Sequence, residues 1–213
     1  MERGELAQLV AAYDGVTVDL GAGDGRFAYR YAREHARRFV IGIDPVAENM
    51  GEMSARAARK PARGGLPNVL YAVANVELLP DELGGIADEI FVTLPWGSLM
   101  RGIILAEPVV LDGIASLARD GADLRIVLNA RIFDDPVPAD LRDLPEVTPG
   151  YARETLAPAY ARHGIEIRSS RWMDADEVAA ISTTWAKRLP HRAPPRSVLI
   201  EAAVRPTASS SHQ

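Results

Sequence analysis

The sequence predicts an α/β fold, a doubly wound and mostly parallel sheet flanked by helices. Three observations carry this. Short apolar runs alternate with amphipathic stretches along most of the 213-residue chain. The first run ends in a glycine-rich turn, "VDLGAGDGR" (Val18–Arg26), directly before a helical pattern. An acid, Asp44, closes the second run about 20 residues past that turn, the spacing of a nucleotide-binding βαβ unit.

The strands follow from the apolar runs. Val16–Leu20, Phe39–Asp44, Val69–Ala74, Glu89–Leu94 and Leu124–Asn129 read as buried parallel strands. Between them lie helices at Arg26–Arg38, Pro45–Lys60 and Gly102–Arg119. The second opens with proline at a first helical position and closes at Pro61. Arg30, Arg33 and Arg37 fall at helical spacing and read as a solvated outer stripe. Residues 133–150 are rich in Asp and Pro and read as an inserted linker. A helix is expected over Tyr151–His163, stopping at Gly164, then a strand over Ile165–Met173. Asp174, with Glu177 three residues on, is the capping box of a further helix to Leu189. A loop over Pro190–Ser197 leads into a last strand, Ser197–Val204. The chain thus reads as one domain over residues 1–204, with residues 205–213 as a disordered tail.

Composition narrows the function. Hydrophobic residues make up 47% and charged residues 25%, as in a soluble globular protein. No apolar run approaches the roughly 20 residues that cross a bilayer, and the first residues lack an export-signal layout. The absence of cysteine excludes disulfides, thiolate zinc sites and a cysteine nucleophile, and fits the cytoplasm. Four histidines without close spacing argue against a metal site. The net charge of −5 opposes nucleic-acid binding, but the charges are segregated. No acid lies between Glu52 and Glu77, where Arg56, Arg59, Lys60 and Arg63 stand. None lies between Glu177 and Glu201, where Lys187, Arg188, Arg192 and Arg196 stand with His191. A basic face on an acidic body and plain solvated helix faces are both open.

The glycine loop points to a cofactor. Gly21, Ala22, Gly23, Asp24 and Gly25 lack the third glycine of the dinucleotide spacing. An acid beside a pyrophosphate is repulsive, whereas a carboxylate in the loop favours a cation. S-adenosylmethionine carries a sulfonium and an ammonium and fits better than NAD. Asp44 is placed to accept from ribose hydroxyls. "ANVELLP" (Ala74–Pro80), with Asn75, Val76 and Glu77, is placed where an adenine ring would lie.

The fourth strand ends in "TLPWGSLM" (Thr93–Met100). Ligands in this fold sit beyond the carboxyl ends of the strands, so Pro95 and Trp96 are expected beside the transferred group. No Asn or Asp stands there to accept from an attacking amine. That favours a ring nitrogen, whose in-plane lone pair needs positioning rather than deprotonation. Trp185 heads the second basic run, suggesting base stacking beside phosphate contacts. Trp96 and Trp185 can hold an extruded base between them. Trp172 has no such company and is assigned to the core.

Together "DLGAGDGR", "GIDPVAENM", "KPARGGLPNV", "LPWGSLM" and "WAKRL" with the following "RS" resemble a known family. It is the aminoglycoside-resistance 16S rRNA (adenine1408-N1)-methyltransferases, the kanamycin–apramycin resistance group; the likeness runs in order across Asp19–Ser197. The resemblance implies a Rossmann-like class I S-adenosylmethionine-dependent methyltransferase. Its seven-stranded sheet would have antiparallel last strands, an N-terminal hairpin and inserted linkers. The implied substrate is the decoding-site adenine of helix 44 in the assembled 30S subunit. Trp96 and Trp185 would flank the flipped base, with Pro95 beside it and Thr183 close to Trp185. The matching basic positions are Arg56, Arg59, Lys60, Arg63, Arg142, Lys187, Arg188 and Arg196. The matching cofactor positions are Asp19, Gly21, Gly23, Asp44, Pro45, Glu77, Thr93 and Ser98, with Leu94 adjoining. S-adenosylhomocysteine would be the product, and a monomer the working form. Two alternatives stay open. One is methylation of a small molecule or a protein. The other is a weakly active cofactor- and RNA-binding homologue, which the acidic linker favours.

Overall fold

The computed structural model of the protein describes residues 4–130, 143–181 and 196–205. Seven strands form one sheet: β1 (Gly15–Leu20), β2 (Arg38–Asp44), β3 (Val69–Val73), β4 (Ala87–Thr93), β5 (Ala118–Asn129), β6 (Ile165–Trp172) and β7 (Ser197–Val204). Their order is β3-β2-β1-β4-β5-β7-β6. Only β7 is antiparallel to its neighbours, so β6 runs the same way as β5 and the sheet is mixed. The order reverses between β1 and β4, which places a crevice at their carboxyl ends.

β1 and β2 are buried almost throughout, which is why they read as continuous apolar runs. Val16, Val18, Ile41, Ile90, Ile126 and Ile200 face one side of the sheet. There they pack with α1 (Glu5–Val10), α4 (Gly97–Leu105), α5 (Pro108–Leu117) and the helical stretch α6 (Pro149–Tyr151), a π turn (Ala152–Leu156) and α7 (Ala157–Ala161). The other side is covered at β2 and β3 by α2 (Arg26–Glu34) and α3 (Ala47–Ala57). Beyond α2 that face is polar. Tyr31 donates to Glu89 (2.7 Å), and Arg125 lies 3.8 Å from both Glu89 and Glu201. Ser169 donates to Glu201 (2.8 Å), so a ladder of opposite charges and hydroxyls crosses the strands.

Several elements differ from the sequence reading. The N-terminal hairpin implied by the resemblance is absent among the described residues, where helix α1 stands instead. The single helix expected over Gly102–Arg119 is two. It starts at Gly97, breaks at Ala106 (φ 54°) and restarts with Pro108, which cannot continue a helix from behind. A methyl on Gly102 would lie 2.3 Å from Val110, so the two helices need glycine to pack this closely. α2 stops at Glu34 because the buried amide of Asn68 takes up the Ala32 carbonyl (2.8 Å) and that of Arg38 (2.9 Å). Arg37 therefore lies past the helix and pairs with Asp14 (2.6 Å), not with a stripe. β5 starts six residues early, at Ala118. The polar lead-in is held by Arg119 on Asp88 (2.9 Å) and turned at Gly121 (φ 82°). The π turn precedes Pro158, which lacks the amide of a regular helical bond. The linker ends in contact with the core, with Leu144 and Val147 buried, and Pro149 and Gly150 are already helical. The capping box is present: Asp174 accepts from Glu177 N (2.8 Å), and α8 (Ala175–Ala180) follows.

Candidate active site

β1 runs straight into the glycine loop at its carboxyl end. The amides of Gly21 and Ala22 donate to the Ile43 carbonyl (2.8 and 2.9 Å), seating the loop on β2. Gly23 is left-handed (φ 54°), a conformation natural to glycine. Its amide donates to Asp44 Oδ2 (2.9 Å), and the space beside its Cα is open. Gly25 (φ 72°) precedes α2. Its carbonyl accepts from the Tyr71 hydroxyl (2.8 Å), and a methyl there would lie 2.6 Å from the Tyr71 ring.

Asp44 does two jobs in the fold. Its other oxygen accepts from Val46 N (3.0 Å), which turns the chain into α3 one residue after Pro45. Proline is thus outside the helix, which starts at Ala47. Asp19 is almost fully buried under the loop, and its Oδ2 has no partner among the described residues. Burial pushes its carboxyl up to about 7, with Asp44 and Asp24 adding to the rise and a backbone hydrogen bond from Ala28 opposing it. Asp24 lines the cleft and stands 3.5 Å from Arg26 in a solvent-exposed pair. Asp24 and Asp44 thus face the cleft, with Asp19 buried beneath them.

These parts enclose a cleft of about 530 Å³, within the range of small-ligand sites. Gly21, Ala22, Gly23, Asp44, Pro45, Asn75, Val76, Thr93, Leu94 and Ser98 all line it, as expected. Pro95 and Trp96 line it from the exit of β4. Leu94 is held at φ 50° while its amide donates to the Val127 carbonyl (2.9 Å). A leucine in that region costs about 1–2 kcal/mol, strain of the kind that collects at functional sites. Trp96 precedes α4 in an extended conformation, and 45% of it is exposed.

One expectation is corrected, that of Trp172, and three other expected positions lie away from the cleft wall. Asp19 lies beneath the cleft and is not part of its wall. Glu77 lies outside it too, lining a neighbouring hollow with Pro108 and Asp112, its Oε2 buried and unpartnered among the described residues. The chain bends at Val76, which faces both spaces. Trp172 is not core: it is 39% exposed, with the Arg196 guanidinium 5.3 Å from its ring centroid. The first basic group is exposed but not at the cleft. Arg56 closes α3, 4.8 Å from the Tyr29 ring, and Arg59, Lys60 and Arg63 follow in the next turns. α3 runs away from the rim for 11 residues, about 16 Å, so this group stands on the β3 flank. Arg142, Thr183, Trp185, Lys187, Arg188 and Arg192 lie outside the described residues. Asn49 and Leu99, which the sequence reading missed, also line the cleft. Asn49 stands in the first turn of α3, and its sole sequence signal was its place in "DPVAEN".

The residues present fit S-adenosylmethionine. A ligand with a sulfonium and an ammonium finds a carboxylate at the end of β2 and a loop surface open at Gly23, above the orphaned buried oxygen of Asp19.

A family model described as NpmA, 16S rRNA (adenine(1408)-N(1))-methyltransferase, matches residues 1–204. A 16S rRNA (adenine(1408)-N(1))-methyltransferase of Streptoalloteichus tenebrarius is 42% identical over 185 residues, 87% of this chain and 85% of the relative. One of Escherichia coli is 34% identical over 190 residues, 89% and 87%. The crystal structure of the 16S rRNA methyltransferase KamB superposes with a TM-score of 0.89 at 39% identity, covering 97% of this chain and 95% of that one. A tryptophan-to-alanine variant of the Catenulisporales acidiphilia enzyme, solved with cosubstrate SAM, gives 0.89 at 38% identity, covering 100% and 95%.

Proposed function

This chain belongs to the 16S rRNA (adenine(1408)-N(1))-methyltransferase family, and from that premise we propose how its own residues methylate N1 of the decoding-site adenine. The observation that carries the proposal is the joining of the Gly23–Asp44 clamp and the exposed Trp96 in one cleft. The substrate is helix 44 of the assembled 30S subunit, and the consequence is aminoglycoside resistance. The protein works as a cytoplasmic monomer, its single domain spanning residues 1–204. No described helix is long and apolar enough to cross a membrane.

The loop Gly21–Gly23, Asp44, Pro45, Asn75, Val76, Thr93, Leu94 and Ser98 hold S-adenosylmethionine, with Asp19 as a buried counter-charge below. When bound, the cofactor supplies an electrophilic methyl group on a cationic sulfur and leaves as S-adenosylhomocysteine. Backbone carbonyls at Leu94 and Pro95 accept from the adenine amino group and set the direction of the ring. Trp96 and Trp185 hold the base on its two faces, with Thr183 beside Trp185. Neutral adenine keeps a lone pair on N1, so no side chain has to remove a proton. The aromatic faces favour the cation that develops on the ring. Arg56, Arg59, Lys60 and Arg63, with Arg142, Lys187, Arg188, Arg192 and Arg196, dock the RNA backbone. Base extrusion costs a few kcal/mol, which stacking and backbone contacts offset.

The test is transfer of radiolabelled methyl groups to 30S subunits, 50S subunits and free RNA, followed by primer extension. Labelling of 30S subunits with one stop at the decoding-site adenine is expected, because methylated N1 cannot pair. Labelling without ribosomes, or no such stop, overturns the proposal.

A further inference from the structure

Trp172 is the last residue of β6, and Arg196 immediately precedes β7. β6 runs parallel to the catalytic strands, so its carboxyl end lies on the same edge of the sheet as Trp96. Trp172 is in register with Val198, and Ser197 with Asn129 at the end of β5. Three strand spacings separate β6 from β4, about 14 Å. The pair therefore stands outside the cleft wall but on the same edge of the sheet, three strands along from Trp96, where a large substrate presenting a base to Trp96 can reach it.

The backbone on both sides of the pair is pinned. Ala130 N donates to the Arg196 carbonyl (2.9 Å), and Met173 N to that of Ser197 (2.8 Å). The guanidinium lies over the Trp172 ring, 5.3 Å from its centroid. Among the described residues it makes no ion pair. Arg171, next to Trp172 in sequence, is the contrast: Glu177 takes its guanidinium at both nitrogens, 2.7 and 2.5 Å away. One arginine at this corner is neutralised; the other is held by an aromatic face, which costs it neither charge nor donors.

We propose that Trp172 is a positioning residue that holds the Arg196 guanidinium in place for a backbone phosphate of the docked ribosomal RNA. The inference rests on the function proposed above. An arginine's rotamer freedom is lost on binding, and a ring that already confines it removes part of that cost. A confined planar fork with no ion pair among the described residues suits bidentate phosphate recognition.

The experiment measures equilibrium binding of the full chain to intact 30S subunits over a series of salt concentrations. The variants are Trp172→Ala, Trp172→Phe, Trp172→Leu, Arg196→Ala and the double Trp172→Ala/Arg196→Ala. The wild type must give the primer-extension stop; if it does not, the proposed function has failed, which is a separate result. Arg196→Ala should weaken binding about tenfold and lower the salt slope by about one. Trp172→Ala should weaken it roughly three- to tenfold, with cofactor affinity unchanged. Trp172→Phe should restore most of the loss and Trp172→Leu none of it. The double variant should bind no more weakly than Arg196→Ala alone. Additive losses, unchanged binding in Trp172→Ala, or an unchanged salt slope in Arg196→Ala overturn the proposal. The last outcome would point to a ribosomal protein carboxylate in place of a phosphate. If Trp172→Ala loses cofactor affinity through misfolding, the Phe and Leu variants carry the test.

Discussion

Gly23 donates its backbone amide to the carboxylate of Asp44 across 2.9 Å, tying the loop after β1 to the end of β2. The other Asp44 oxygen receives Val46 N at 3.0 Å. One side chain thereby shapes both walls at the head of the cleft. Asp44→Ala should lose at least tenfold in S-adenosylmethionine affinity by calorimetry. It should also lose about 1–3 kcal/mol of stability in denaturant unfolding, because two amides lose a charged acceptor. Asp44→Asn, which keeps one acceptor oxygen, should fall between.

Asp19 gives the protein a pH dependence. Its folded carboxyl, raised by burial to about 7, holds a proton that the unfolded chain releases near the ordinary value of 3.8. The folded state therefore binds more protons between those values, and stability falls as pH rises through that window. Denaturant unfolding at a series of pH values should show this slope, and Asp19→Asn should remove it. A cationic ligand favours the charged carboxylate. Cofactor affinity should then rise with pH toward about 7 and level off above it, and this dependence should vanish in the Asn variant.

Trp96→Ala and Trp185→Ala should each cut 30S methylation by at least a hundredfold while cofactor affinity stays within about twofold, on the scale of lost substrate positioning. Calorimetry and single-turnover methyl transfer separate the two effects. Wild-type turnover in either variant would remove that tryptophan from the base site.

Arg59→Glu and Lys60→Glu should weaken 30S binding and flatten its salt dependence, the slope falling by about one for each phosphate that is no longer neutralised. Both side chains are exposed on the β3 flank, away from the cleft, so cofactor affinity should not change. Filter binding at several salt concentrations checks this.

The glycine loop and Asp44 were legible because strand, turn, helix and following acid are contiguous patterns. Their spacing is dictated by the length of one βαβ unit. Other features depended on partners remote in sequence. The exposure of Trp172 comes from where β6 ends in the sheet, not from its neighbours in the chain. The early start of β5 rests on the pairing of Arg119 with Asp88 on another strand. The displacement of Glu77 follows from a bend at Val76, and no periodicity reports such a bend. Asp24 was close enough in sequence to Arg26 for their pairing to be anticipated, yet a short spacing does not say which way a side chain turns.

By itself the sequence determined the α/β alternation, the cation-favouring glycine loop and the two basic runs, because local periodicity and residue chemistry suffice for these. Only the tertiary structure decided which carboxylates are buried without a partner among the described residues, that β7 runs reversed between β5 and the edge strand β6, and that Trp172 and Arg196 meet on the edge of the sheet that carries the cleft. Those outcomes depend on strand register and side-chain direction. Both are set by packing between segments that lie far apart along the chain.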